Sequence, residues 1–105
     1  MRDLIIRGGE NIYPIEIENR LIEHPETADA AVIGVDHPTL GQDVKAFVFP
    51  AASCSPSADG IRRFVGEVLA AFKVPAYVDF RGSLPYSATG KVLKRDLEDQ
   101  ERATR

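Results

Sequence analysis

The segment Ala28–Val35 is apolar at both alternating sets of positions, with Ala30 and Val32 on one side and Ala31, Ile33 and Val35 on the other. A strand of that kind is covered on both faces, because a half-exposed strand alternates apolar with polar. Val44–Phe49 is a second strand. The intervening loop Asp36–Asp43, with Pro38 and Gly41, is short enough to make the pair antiparallel. Ala76–Arg81 reads as a third strand.

Helices to cover such a sheet are present in the sequence. Ile61, Phe64, Val65, Val68, Leu69 and Phe72 recur at helical spacing, which predicts one helix running to Phe72 and ended by Lys73-Val74-Pro75. A second helix, Ile15–Glu23, is opened by Pro14 and stopped by His24-Pro25, with apolar pairs Ile17/Leu21 and Ile15/Ile22. A charged helix, Val92–Glu101, closes the chain after the loop Gly82–Gly90. Near the start, Leu4–Arg7 and Glu10–Tyr13 flank Gly8-Gly9, a pair that tolerates positive φ and favours a tight hairpin. The expected architecture is α+β: a small three-stranded antiparallel sheet with packed helices, plus an N-terminal β-hairpin.

At 105 residues this is one domain, with an expected radius of gyration of roughly 13 Å. Thirteen basic and sixteen acidic residues leave a net charge of −3, which offers no global attraction to nucleic acid or an anionic membrane. No apolar run approaches the ~20 residues of a transmembrane helix, and nothing at the N-terminus reads as a signal peptide. The single cysteine, Cys54, cannot form an internal disulfide, so a cytoplasmic location is the default expectation. Met1-Arg2-Asp3 leads directly into the first strand, which suggests a chain severed from something upstream.

One segment stands out chemically. Pro85-Tyr86-Ser87-Ala88-Thr89-Gly90-Lys91-Val92-Leu93-Lys94-Arg95 puts a lysine on a polar loop before a basic helix start. A phosphate-binding P-loop would need glycine where Pro85 stands and Ser or Thr at Val92, so that reading fails. Lys91 could be an ordinary solvated lysine. It also suits a developing negative charge on phosphoryl or acyl oxygens, being a compact cation with three donors on a long stem. Gly8-Gly9 could be simply a turn, or a thin stretch of backbone past which a ligand runs.

His24 and His37 each precede a proline, lie far apart and lack companion ligands, so no metal site is expected. Cys54 has no cationic neighbour to activate it. Glu16, Glu18 and Glu23 read as a solvated helix face. Lys94, Arg95 and Arg102 read as intrahelical partners of Asp96, Glu98, Asp99 and Glu101.

These motifs carry a resemblance. Arg2-Asp3-Leu4-Ile5-Ile6-Arg7-Gly8-Gly9-Glu10-Asn11-Ile12-Tyr13-Pro14, followed by Glu16-Ile17-Glu18, resembles the hinge-and-hairpin motif that opens the C-terminal domain of adenylate-forming (AMP-binding) enzymes. Leu84-Pro85 through Gly90-Lys91, with Arg95, resembles their terminal catalytic-lysine motif. The resemblance spans essentially all of residues 1–105, and its wording is closest to fatty-acyl and aryl acyl-CoA synthetases.

The resemblance implies a mobile lid domain whose N-terminal ATP- and acyl-binding domain is absent here. It implies a two-step reaction: ATP and a fatty or aryl carboxylic acid give an acyl-adenylate, and coenzyme A then displaces AMP. Magnesium would be bound by the absent domain. Lys91 would be the catalytic lysine, supported by Thr89, Gly90 and Arg95. Gly8, Gly9, Glu10 and Asn11 would line the coenzyme A tunnel, and Arg2 and Asp3 would form the hinge. Lys73 is the candidate contact for a coenzyme A phosphate, without the additional basic residues some relatives have there. Arg2 replaces the more usual Asp or Lys, and Gln42 replaces a usual glutamate. Two alternatives accompany this reading: an adenylating ligase that loads a carrier protein, and a free-standing, non-catalytic interaction module.

Overall fold

The computed structural model describes residues 4–82, 84–88, 90 and 92–103, the side chains of Arg102 and Ala103 excepted. The expected hinge residues Arg2 and Asp3 lie outside the described residues, as do Thr89 and Lys91.

Strands β1 (Ile5–Arg7) and β2 (Glu10–Ile12) form the hairpin, followed by α1 (Pro14–Ile22). Two long strands come next, β3 (Thr27–His37) and β4 (Gly41–Pro50), then α2 (Ala58–Gly66), a 3₁₀ turn (Ala71–Lys73), β5 (Tyr77–Phe80) and α3 (Lys94–Ala103). The α+β class is as expected. β3 and β4 pair antiparallel from Thr27↔Pro50 to His37↔Gly41, leaving only residues 38–40 to connect them.

The sheet is larger and less uniform than expected. β1 joins β4 through Arg7↔Gly41, which makes the hairpin part of a five-stranded sheet. β5 pairs with β4 in the parallel sense, Lys45↔Tyr77 to Val48↔Phe80, so the sheet is mixed rather than antiparallel. The reason is the connection: the chain leaves β4, crosses through α2 and returns to the same end, as a crossover requires.

β3 is covered on both faces. Ala30 and Val32 pack with Val44, Ala46 and Val48 of β4 beneath α1 and α2. Ala31, Ile33 and Val35 pack with Phe47, Leu84 and Leu97, the last from α3. Arg20 ties α1 to α2: its guanidinium lies 3.5 Å over the Phe64 ring, and its Nε donates to the Phe64 carbonyl at 3.0 Å.

The helix expected to reach Phe72 stops at Gly66. Its start is fixed by Ser57, whose Oγ accepts from Gly60 N at 2.9 Å. Glycine costs about 1 kcal/mol in a helix interior, and beyond Gly66 the chain turns. Leu69, Phe72 and Val74 still reach the core from this irregular segment, while Val68 is left 65% exposed. In α1 the pair Ile17/Leu21 is buried, whereas Ile15 and Ile22 face outward.

Candidate functional site

The two segments singled out by sequence become two compact elements. In the first, Ile5↔Ile12, Ile6↔Asn11 and Arg7↔Glu10 pair around the Gly8-Gly9 turn. Both glycines have positive φ, 57° and 85°, as a two-residue type I′ turn demands. Ile5 and Ile12 face the core, while Glu10 and Asn11 are exposed. A β-carbon added at Gly9 would meet nothing within 4 Å among the described residues, so that edge of the turn is open.

Four contacts hold the hairpin to β4 and its approach. β1 has the single backbone pairing Arg7↔Gly41. Gly8 N donates to the Leu40 carbonyl at 2.9 Å, and Arg7 Nε donates to Asp43 Oδ1 at 3.0 Å. Ile6 N donates to Gln42 Oε1 at 3.0 Å. The Gln42 side chain thus stands in for a missing rung of the ladder.

The second element is the loop that includes Lys91. Its described flanks close on themselves: Tyr86 and Val92 form an antiparallel bridge, Leu93 N donates to the Pro85 carbonyl at 2.8 Å, and Gly90 N to the Ser87 carbonyl at 3.0 Å. Gly90 has φ 85°, a conformation that favours glycine. Leu84 and Val92 pack the loop onto the Phe47 face of the sheet.

One further tie was not foreseen. Tyr86 Oη donates to Asp29 Oδ2 at 2.9 Å. Desolvation, then the hydrogen bond to Asp29 and the charge of its carboxylate, push the Tyr86 phenol above its usual value of 10.0. The available signal was an aspartate interrupting the apolar run Ala28–Val35.

Two of the charges expected to pair within α3, Lys94 and Glu101, make tertiary contacts. Lys94 Nζ meets Glu18 Oε2 at 2.6 Å, and the same oxygen accepts from Val32 N at 2.8 Å. Glu18 is therefore 9% exposed and part of the packing, not a member of a solvated face. Lys45 pairs with Glu101, and Arg81 Nη1 donates to Gln100 Oε1 at 2.9 Å. Lys73 pairs with Glu16 at 2.7 Å, and Arg95 is exposed.

The anchors of the two elements are well separated. Tyr86 is anchored at Asp29 and Gly8 at Leu40, near opposite ends of the β3–β4 ribbon. The eight residue steps from Asp29 to His37 span roughly 25 Å at the usual strand rise. The hairpin also packs through Ile5 and Ile12 on the α1 face, and the loop through Leu84 and Val92 on the α3 face.

His24 and His37 serve their own turns: His24 Nδ1 accepts from Glu26 N at 3.1 Å, and His37 Nδ1 from Leu40 N at 3.0 Å. Among the described residues there is no cluster of three or more His, Cys, Asp or Glu able to hold a metal ion. No helix among them is long and apolar enough to cross a membrane. Two clefts, one beside Gln42 and Lys94 and one beside Lys45 and Tyr77, measure about 160 and 260 Å³. Both fall below the ~300 Å³ at which small-molecule sites begin.

Comparison with known proteins gives one family. The sequence profile of the AMP-binding enzyme C-terminal domain matches residues 16–91. A 2-succinylbenzoate–CoA ligase of Geobacillus kaustophilus is 46% identical over 96 residues, which is 91% of this chain and 20% of that protein. Fatty acid–[acyl-carrier-protein] ligase ScoC of Streptomyces coeruleorubidus is 42% identical over 95% of this chain and 19% of its own length. The structure of a Mycobacterium tuberculosis fatty acyl CoA synthetase superposes with a TM-score of 0.90 at 39% identity, covering 97% of this chain and 20% of that one. The chain thus spans about a fifth of the length of the curated relatives it matches.

Proposed function

Since the chain belongs to the AMP-binding enzyme C-terminal domain family, we propose that it is the mobile lid of an AMP-forming acyl-CoA synthetase acting on a fatty or aryl carboxylic acid. The observation that carries this reading is the separation of its two functional elements to opposite ends and opposite faces of the β3–β4 ribbon. A domain that turns between two half-reactions can present each in its turn.

In the adenylating pose, Lys91 reaches the carboxylate and the α-phosphate. It aligns two anions that would otherwise repel and neutralises charge as the carboxylate attacks, releasing pyrophosphate. In the thioester-forming pose the Gly8–Asn11 hairpin faces the site, and the open side of Gly9 flanks the pantetheine arm of coenzyme A. Arg2 and Asp3 form the pivot, and Thr89, Gly90 and Arg95 support the lysine loop. Lys73 must share its ammonium with Glu16 to meet a coenzyme A phosphate. ATP is held by the N-terminal adenylation domain. Magnesium would be held by that domain together with ATP.

In the full-length protein, Lys91→Ala is expected to lower adenylation about 100-fold while sparing thioester formation from preformed acyl-adenylate. Equal damage to both half-reactions would remove this role. A native product far above 11.5 kDa on an immunoblot fits a lid, whereas a band at that mass favours a free-standing module.

A second reading has its own support. The likeness to ScoC, together with the engagement of Lys73 by Glu16, favours an acceptor lacking the coenzyme A nucleotide, namely a carrier-protein phosphopantetheine. Parallel assays with free coenzyme A and with holo carrier protein separate the two.

A further inference from the structure

We infer that Tyr86 and Asp29 are positioning residues for the adenylation step, fixing the attitude of the loop to which Lys91 belongs. The inference rests on the role proposed above for Lys91.

The connection is short. Tyr86 is bridged through its backbone to Val92, the residue next to Lys91 in the chain. Its side chain donates to Asp29 Oδ2 at 2.9 Å. Asp29 is itself held, because its other oxygen accepts from Ala30 N at 2.8 Å. It lies on β3 where the pairing shifts register between Thr27 and Asp29, and among the described residues β3 has no strand on its outer side. A carboxylate held there is a post fixed to the longest strand pairing of the domain.

The loop does not need this post to exist. Its bridge, its Leu93–Pro85 and Gly90–Ser87 bonds, and the packing of Leu84 and Val92 all lie elsewhere. What the post adds is orientation of the loop against the sheet. A lysine that acts as a point charge is sensitive to orientation, because a small misplacement from its two anions weakens both contacts together. The tie has no comparable route to the hairpin, which is anchored to Leu40, Gln42 and Asp43 at the far end of the ribbon.

The test uses the full-length protein, with octanoate and benzoate as fatty and aryl probes. Adenylation is read as acid-dependent ATP–pyrophosphate exchange, and the second step as coenzyme A consumption of preformed adenylate. Tyr86→Phe and Asp29→Ala should each lose about threefold to tenfold in exchange, the double variant should lose little more, and Asp29→Asn, which keeps a polar partner for the phenol, should stay within about twofold of wild type. The thioester step should be unchanged in all of them. Exchange at the wild-type rate in Tyr86→Phe and Asp29→Ala, or equal slowing of both half-reactions, overturns the inference when Lys91→Ala is itself defective in exchange. Undiminished exchange in Lys91→Ala, or no exchange by wild type with either acid, instead overturns the proposed function, and the positioning role falls with it.

Discussion

Gly34 and Gln42 share one space: a β-carbon on Gly34 would stand 2.7 Å from Gln42 Nε2 and 3.2 Å from Ile5 Cγ1. With a side chain at position 34 the end of the glutamine would have to move, at the expense of its bond from Ile6 N. Gly34→Ala is therefore expected to destabilise the chain by about 1–3 kcal/mol, in the range of overpacked cores. In a Gln42→Ala background the same change should cost markedly less. Urea unfolding of the four species of this cycle measures the coupling directly. Additive losses would mean that the two residues do not compete for space.

Glu18 offers a sharper test of how α1, β3 and α3 are joined. Its Oε2 serves both Val32 N and Lys94 Nζ, closing part of the outer edge of β3. Glu18→Ala leaves a backbone donor and an ammonium without that partner, and about 1–3 kcal/mol should be lost. Glu18→Gln keeps an acceptor for Val32 and should lose less. Denaturant midpoints for the two variants check the order.

Gly9 separates a local cost from a functional one. At φ 85° any side chain is strained, so Gly9→Leu should lose about 1 kcal/mol of stability. Among the described residues, no atom lies within 4 Å of the added β-carbon. Under the proposed function the leucine narrows the pantetheine tunnel, so the thioester step should slow far beyond that loss while adenylation persists. Normal coenzyme A turnover in this variant would remove the hairpin from the tunnel.

The Tyr86 tie has a pH signature. The folded-state phenol titrates above its unfolded value of 10.0, so its contribution is complete below pH 10 and lost as pH rises through the higher folded value. Thermal unfolding of wild type and Tyr86→Phe should therefore differ at pH 8 and converge toward pH 11, where phenolate and Asp29 repel. Parallel curves across that window would show that the hydroxyl adds no stability.

The layered plan was legible because it rests on periodicity. The two-faced apolar pattern of Ala28–Val35 required cover on both sides, and Gly8-Gly9 required a tight turn. What stayed hidden depended on partners distant in sequence. Nothing local to Glu18 reveals that it ends beneath Lys94, and the Ile61–Phe72 spacing holds even where the chain has left the helix, since Leu69 and Phe72 reach the same core from a turn. The direction of β5 was missed because it is set by the crossover through α2 and not by its own residues. Gln42 and Tyr86 were visible in the sequence, but their roles depend on Gly34 and Asp29.

Strand β4 has a consequence of another kind. Along one side it holds β1 at Gly41 and β5 from Lys45, with β3 running the full length of the other. It acts as a ruler against which hairpin and crossover are both measured. Inserting one residue between positions 41 and 45 would shift the hairpin against β5 and reverse the faces of everything beyond it. Length variation should be tolerated in the Ala51–Ser57 loop and forbidden within those five positions, a pattern that deletion scanning can read without any knowledge of substrate.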